Sequence, residues 1–198
     1  MNYKRLIYIG IGILLIGYSF TWAFKNFNFN SNYKFGQKLD SLHGVVVYYN
    51  GGVSTVAGRN LTKDNYNLGL KYQCVEFVKR YYYERLHHKM PDSYGNAKDF
   101  FDAEVGDGMH NKKRDLIQYG NPSHSLPQVG DLIIFSGTAF NRYGHVAIIS
   151  KVTADEIEII QQNPGPYEKS RETIGLKVHK GKYTIENDRV LGWLRKER

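Results

Sequence analysis

Hydrophobic and polar positions divide the chain into two unlike parts. From Leu6 to Phe24 there is no charged residue, and only Gly10, Gly12, Gly17, Ser19 and Thr21 interrupt the apolar run. A stretch that is apolar around its whole circumference suits lipid better than the surface of a globular domain. Its nineteen residues, at about 1.5 Å each, reach about 28 Å, close to the hydrocarbon thickness of a bilayer. After a short polar and aromatic stretch the pattern changes to brief β-like runs around one amphipathic segment. Gly44 to Tyr49 is β-rich and is stopped by Asn50-Gly51-Gly52, and a loop rich in Gly, Asn and Asp continues to about Leu70. Val75, Val78, Tyr82 and Leu86 then recur at helical spacing, Glu76 can meet Arg80 one turn on, and the helix fades at His87-His88 before Pro91.

Residues 91 to 128 are mixed, with a helix expected around Asn96 to Glu104, a polar Gly-rich stretch, and a turn at Gly120-Asn121-Pro122. The β signal then strengthens: Leu132 to Phe135, His145 to Val152, and Glu156 to Asn163, the last ended by Pro164-Gly165-Pro166. Tyr183-Thr184 and Val190 to Leu194 supply closing strands. A helix followed by antiparallel strands predicts an α+β fold. The expected organisation is a membrane anchor or signal segment at 1–25, a linker at 26–33 and one globular domain at 34–198.

Charge orients the first segment. Lys4 and Arg5 precede it and Lys25 alone follows closely, a bias that places the amino terminus in the cytoplasm and the domain outside, in a periplasm or at a cell surface. Thr21-Trp22-Ala23 is a poor small-x-small cleavage site, so a retained single-pass anchor is expected, with a cleaved signal peptide as the alternative. Net charge is +8, of which these three residues account for +3, so the remainder is about +5. That balance suits an anionic partner. No concentrated Lys/Arg stripe is present, so nucleic acid is not expected, and envelope glycopolymers or phospholipid are the more natural partners.

Cys74 is the only cysteine. It can form no intramolecular disulfide, and one thiolate does not make a zinc site. It is either a small buried apolar residue or a nucleophile whose pKa is lowered by the helix N-terminus and by a nearby imidazole. His145, at the start of its strand beside Gly144, is the candidate imidazole. Strand alternation puts Ile157, Ile159, Gln161 and Asn163 on one face and Gln162 on the other, so Gln161 or Asn163 is positioned to hold the second ring nitrogen. Gln73 either helps the Cys74 N–H form an oxyanion hole or only packs the helix start. The adjacent His87-His88, and His43, His110, His124 and His179, lack metal-ligand spacing, and Gly51-Gly52 lacks the Lys-Ser/Thr of a phosphate loop. Neither cofactor nor metal is expected.

Tyr72-Gln73-Cys74-Val75-Glu76-Phe77 followed by two basic residues, Gly130-Asp131-Leu132-Ile133-Ile134-Phe135, Gly144-His145-Val146-Ala147-Ile148-Ile149, the strand-end Gln161-Gln162-Asn163 and the terminal Val190-Leu191-Gly192-Trp193 together resemble the CHAP branch of the papain-like superfamily, the cysteine, histidine-dependent amidohydrolases and peptidases. They look especially similar to the amidase domain of glutathionylspermidine synthetase/amidase, over roughly residues 34 to 198. The resemblance implies a papain-like α+β core with the Cys helix packed on an antiparallel sheet, Cys74 as nucleophile and His145 as general base and acid. One position departs: where these amidases usually carry Glu-x-Asn, this chain has Gln161-Gln162-Asn163. The implied function is a membrane-anchored extracytoplasmic amidohydrolase or peptidase acting on peptidoglycan peptides. Its alternatives are an amidase of a small glutathionylspermidine-like conjugate and a catalytically weak envelope-binding module.

Overall fold

A computed structural model describes residues 3–165, 167 and 169–197. The apolar run forms helix α1 (Tyr3–Asn26), 24 residues with none buried, long and apolar enough to cross a membrane. The rest is mixed α/β. A first hairpin pairs β1 (Lys38–Leu42) with β2 (Val45–Tyr48), and β3 (Arg59–Leu61) pairs with β4 (Asn67–Leu70) inside the stretch expected to be loop. Helix α2 (Cys74–Leu86) follows and stops where His87 takes a left-handed conformation. The strands β5 (Met109–Asn111), β6 (Leu116–Gly120), β7 (Leu132–Phe135), β8 (His145–Val152), β9 (Glu156–Ile160), β10 (Arg171–His179), β11 (Lys182–Ile185) and β12 (Val190–Arg195) complete the chain. They form one sheet in the order β11-β10-β9-β8-β7-β12-β6-β5, with every neighbour antiparallel.

The central strands read as continuous apolar runs because both sheet faces are covered. On one face Val78 and Tyr82 of α2 pack with Leu132, Ile134, Val146 and Ile148. On the other, Ile133, Ala147, Ile149 and Ile159 surround Trp193. The helical periodicity of α2 therefore serves one core while β2 and β4 lie against the same helix.

Two expectations need correction. The helix around Asn96 to Glu104 is only a 3-10 turn, Ala97–Phe100. Gln118 explains the stop: it accepts from the Asp102 N–H at 2.9 Å and donates to the carbonyls of Asp102 and Val105 at 2.8 and 3.0 Å, taking up backbone groups a helix would have used. The strand expected to run to Asn163 ends at Ile160. β10 carries no clear strand pattern, since its apolar positions, Ile174, Leu176 and Val178, are scattered among charged and small residues and only the first two are buried.

Candidate active site

Cys74 is the first residue of α2, preceded by Gln73 in extended conformation (φ −87°, ψ 162°). The helix start is tied down from two sides. The Gln73 carbonyl accepts from Phe77 N–H at 3.3 Å and from Gln162 Nε2 at 3.1 Å. Its side-chain amide donates to the Val53 and Thr55 carbonyls at 3.1 and 2.9 Å, while Oε1 accepts from Asn163 Nδ2 at 2.7 Å. Asn163 also donates to the Val53 carbonyl at 2.8 Å. Both amide hydrogens of Gln73 are thus engaged by the loop, and Gln73 and Asn163 brace residues 53–55 against the helix.

Below this brace lies a buried polar network. Glu76 pairs with Arg80 at 2.7 Å, accepts from Asn60 Nδ2 at 2.7 Å and from Gln162 Nε2 at 2.9 Å, and Arg80 donates to the Val46 carbonyl at 2.7 Å. Gln162 is completely buried and accepts from the Tyr48 N–H at 2.8 Å, so one side chain links α2, β2 and the end of β9. Strand alternation turns Gln162 away from the histidine, as expected from the sequence. Its position beside a helix that carries a buried glutamate was not legible in the sequence.

His145 begins β8, opposite Phe135 of β7, with the two rings 6.0 Å apart. Gly144 has φ +77°, and a Cβ there would lie 2.5 Å from the Phe135 carbonyl, so the approach to His145 requires glycine. His145 Nε2 is 2.9 Å from Gln161 Oε1. The other end of that amide, Nε2, faces two acceptors, the Lys169 carbonyl at 3.3 Å and Glu172 Oε2 at 3.4 Å. The amide orientation follows from those acceptors, so His145 Nε2 carries the hydrogen and Nδ1 keeps its lone pair. Asn163 does not share this role in the geometry: its φ of +56° turns the chain off the strand, and its side chain reaches Gln73 and Val53 instead.

Cys74, His145, Gln73 and Asn163 all line one open cleft of about 790 Å³. Cys74 and His145 are both half-buried. Burial pushes the Cys74 thiol above its ordinary value, against the opposing pull of the backbone N–H groups of Val146, Val75 and Cys74. This corrects the expectation of a depressed thiol pKa, because loss of water around the sulfur outweighs the dipole of the helix start. Burial likewise brings His145 down to about 4; the Gln161 hydrogen bond opposes the shift and the Arg189 charge adds to it. At neutral pH the pair rests as thiol and neutral imidazole.

The CHAP domain family profile matches residues 64–163, a span that includes Cys74, His145 and Gln161. The chain belongs to the CHAP domain family. Among curated proteins, trypanothione synthetase of Crithidia fasciculata is 30% identical over 139 residues, covering 70% of this chain and 21% of the relative. The bifunctional glutathionylspermidine synthetase/amidase of Escherichia coli (strain K12) is 28% identical over 181 residues, covering 81% of this chain and 29% of the relative. The chain therefore spans less than a third of the length of these relatives. A solved structure described as the crystal structure of Ly7917 aligns over 62% of this chain and 53% of its own, at 19% identity and a TM-score of 0.34, too loose a match to define the fold.

Proposed function

We propose that this CHAP protein is a membrane-anchored, extracytoplasmic cysteine amidohydrolase or peptidase that cleaves amide bonds in peptidoglycan peptides. The observation that carries the reading is the hydrogen bond between His145 Nε2 and Gln161 Oε1, 2.9 Å, beside a cleft that also holds Cys74. With Nε2–H committed to Gln161, Nδ1 is the nitrogen left to take the thiol proton. As the proton moves to Nδ1, sulfur attacks the amide carbonyl carbon and the carbonyl oxygen becomes an oxyanion near the Cys74 N–H at the helix start. The imidazolium then returns its proton to the leaving amine as the C–N bond breaks. Water, deprotonated by the same imidazole, hydrolyses the thioester and restores the thiol. A papain-like core arrangement accords with this order of Cys, His and amide. Helix α1, whose apolar run has Lys4 and Arg5 before it against Lys25 alone after it, supports anchoring with the domain outside.

The test is incubation of the full chain in detergent with purified peptidoglycan, with released termini identified by mass spectrometry. New amino termini produced by the native chain and not by Cys74→Ala are expected; none from any peptidoglycan preparation sinks the substrate assignment. A second reading, hydrolysis of a small glutathionylspermidine-like conjugate, is favoured by the similarity to the synthetase/amidase over 81% of the chain, and the same assay with that conjugate tests it. The neutral Gln161 motivates a third, a catalytically weak envelope-binding module, which would retain peptidoglycan without releasing termini.

A further inference from the structure

Three cations from separate parts of the chain line the cleft: Lys25 at the end of α1, Arg59 on β3 and Arg142 in the loop before β8. Among the described residues no Asp or Glu lines it. Three arginines elsewhere are matched by carboxylates, Arg80 by Glu76, Arg171 by Asp40 and Glu158, and Arg195 by Asp131, while Arg114 and Arg189, which do not line the cleft, donate to backbone carbonyls. The cleft cations have neutral partners instead. Lys25 Nζ donates to the Phe140 carbonyl at 2.8 Å, Arg59 Nη1 to Asn67 Oδ1 at 3.0 Å and Arg142 Nη2 to the Tyr143 hydroxyl at 3.1 Å. Such bonds orient a charge without cancelling it. Each guanidinium also lies over an exposed tyrosine ring, Arg59 at 5.5 Å from Tyr94 and Arg142 at 5.1 Å from Tyr143. The carboxylates on the neighbouring loop, Asp92 and Asp99, accept from Tyr94 N–H at 3.0 Å and Asn96 N–H at 2.8 Å and keep their charge, which acts on the buried Arg114.

Lys25 is held there by the domain. Ser54 N–H donates to the Lys25 carbonyl at 2.9 Å, and a Cβ on Gly52 would lie 2.6 Å from that same oxygen, so the helix end seats on Gly52 because there is no side chain in the way.

We propose that Lys25, Arg59 and Arg142 form an anion-selecting rim, so that the cleft takes amide substrates bearing carboxylates beside the scissile bond and the end of α1 is part of the substrate site. The inference deepens the amidohydrolase reading and rests on it for where the reacting bond lies. Uncompensated cations around a cleft with low-dielectric walls concentrate anions, and guanidinium forks match carboxylate geometry. A polycationic group, such as a polyamine tail, meets like charge from three residues and is rejected.

The experiment uses the full chain carrying Cys74→Ala in a neutral detergent, so that binding is read without turnover. Calorimetric titrations compare three N-acetylated, C-amidated peptides of equal length whose positions flanking one amide are Glu, Gln or Lys. The Glu peptide should bind about tenfold more tightly than the Gln peptide, the sum of several partly exposed charge contacts. The Lys peptide should bind least. The preference should shrink as salt is raised from about 0.05 to about 0.5 M. Lys25→Gln should weaken the Glu peptide severalfold and leave the Gln peptide unchanged, and Gly52→Ala, which displaces the helix end while keeping its charge, should do the same. Equal affinities, a preference for Lys, no binding of the Glu peptide, or insensitivity to both substitutions overturns the proposal. If the Glu peptide binds with this pattern but the unsubstituted chain never cleaves it, the rim stands and the amidohydrolase reading falls.

Discussion

At the scale of single residues, the neutral resting state of Cys74 and His145 sets the expected pH behaviour. Alkylation of Cys74 by iodoacetamide should follow a midpoint at or above the ordinary thiol value of about 8.5, since burial raises the thiol. A midpoint near neutrality would show that the pair rests as thiolate and imidazolium. Because His145 is held down to about 4, the acid limb of kcat/KM should lie near that value instead of near 6.5. The same shift has a stability consequence. An unfolded histidine takes up its proton near pH 6.5 and the folded one only near 4, so this contribution is full above 6.5 and is lost as pH falls toward 4. Cys74→Ala and His145→Ala should each abolish hydrolysis, with the double variant no worse, as read by single-turnover release with circular dichroism as the folding control. Gln161→Ala frees the ring to rotate and should cost about 10- to 100-fold in rate, the effect usual for an orienting group. Gln161→Glu supplies charge but removes the donor to Lys169 and sets two carboxylates together at Glu172. Its gain should therefore emerge only when Glu172→Gln is added, and equal rates for the single and paired variants would refute this.

At the scale of elements, the start of α2 depends on partners distant in sequence. Glu76, Arg80, Asn60 and Gln162 satisfy one another in a buried site, and removal of one member leaves a charge or an amide unpaired. Glu76→Gln or Gln162→Ala should lower stability by about 2 to 4 kcal/mol, measured by urea unfolding. Cost below about 0.5 kcal/mol would mean that water enters and replaces the lost partner. Lys79, one turn along and buried, donates to the carbonyls of Asn67 and Ser93 and is brought down to about 7, chiefly by burial. The unfolded lysine holds its proton up to about pH 10.5, so between pH 7 and that value the unfolded state binds more protons and this group makes stability rise with pH. Lys79→Met should flatten that slope, and an unchanged slope between pH 7 and 9 would assign it elsewhere.

For the whole molecule, α1 stands apart from both cores, with none of its residues buried, yet its last turn docks on the domain through Lys25 and Gly52. If it spans a bilayer, the cleft lies at the membrane surface. The chain should then fractionate with membranes and resist alkaline extraction. Ile13→Asp together with Ile16→Lys, each costing about 3 kcal/mol at mid-bilayer, should release it into the soluble fraction. Retention of that variant in membranes would show that α1 is not what holds the protein there.

Local chemistry by itself determined several features. The apolar run determined α1, the recurrence of Val75, Val78, Tyr82 and Leu86 at helical spacing determined α2, and dense apolar runs determined β7 and β8, because each is written in neighbouring residues whose burial is one-sided or complete. Cys74, Gly144-His145 and Gln161 stand out as candidates for a related reason: a lone thiol at a helix start and a polar residue at a strand end are exceptions to the local pattern. The tertiary structure decided what depends on spatial neighbours. It ended β9 at Ile160 and separated Asn163 from Gln161 through a left-handed residue, stopped the expected helix with Gln118, and paired the charge-rich β10 between β9 and β11. It raised the thiol against the pull of its helix, since desolvation is a property of the surrounding packing and not of the residue. It also brought Lys25, Arg59 and Arg142 to one cleft from three places in the chain, a convergence that no spacing in the sequence encodes.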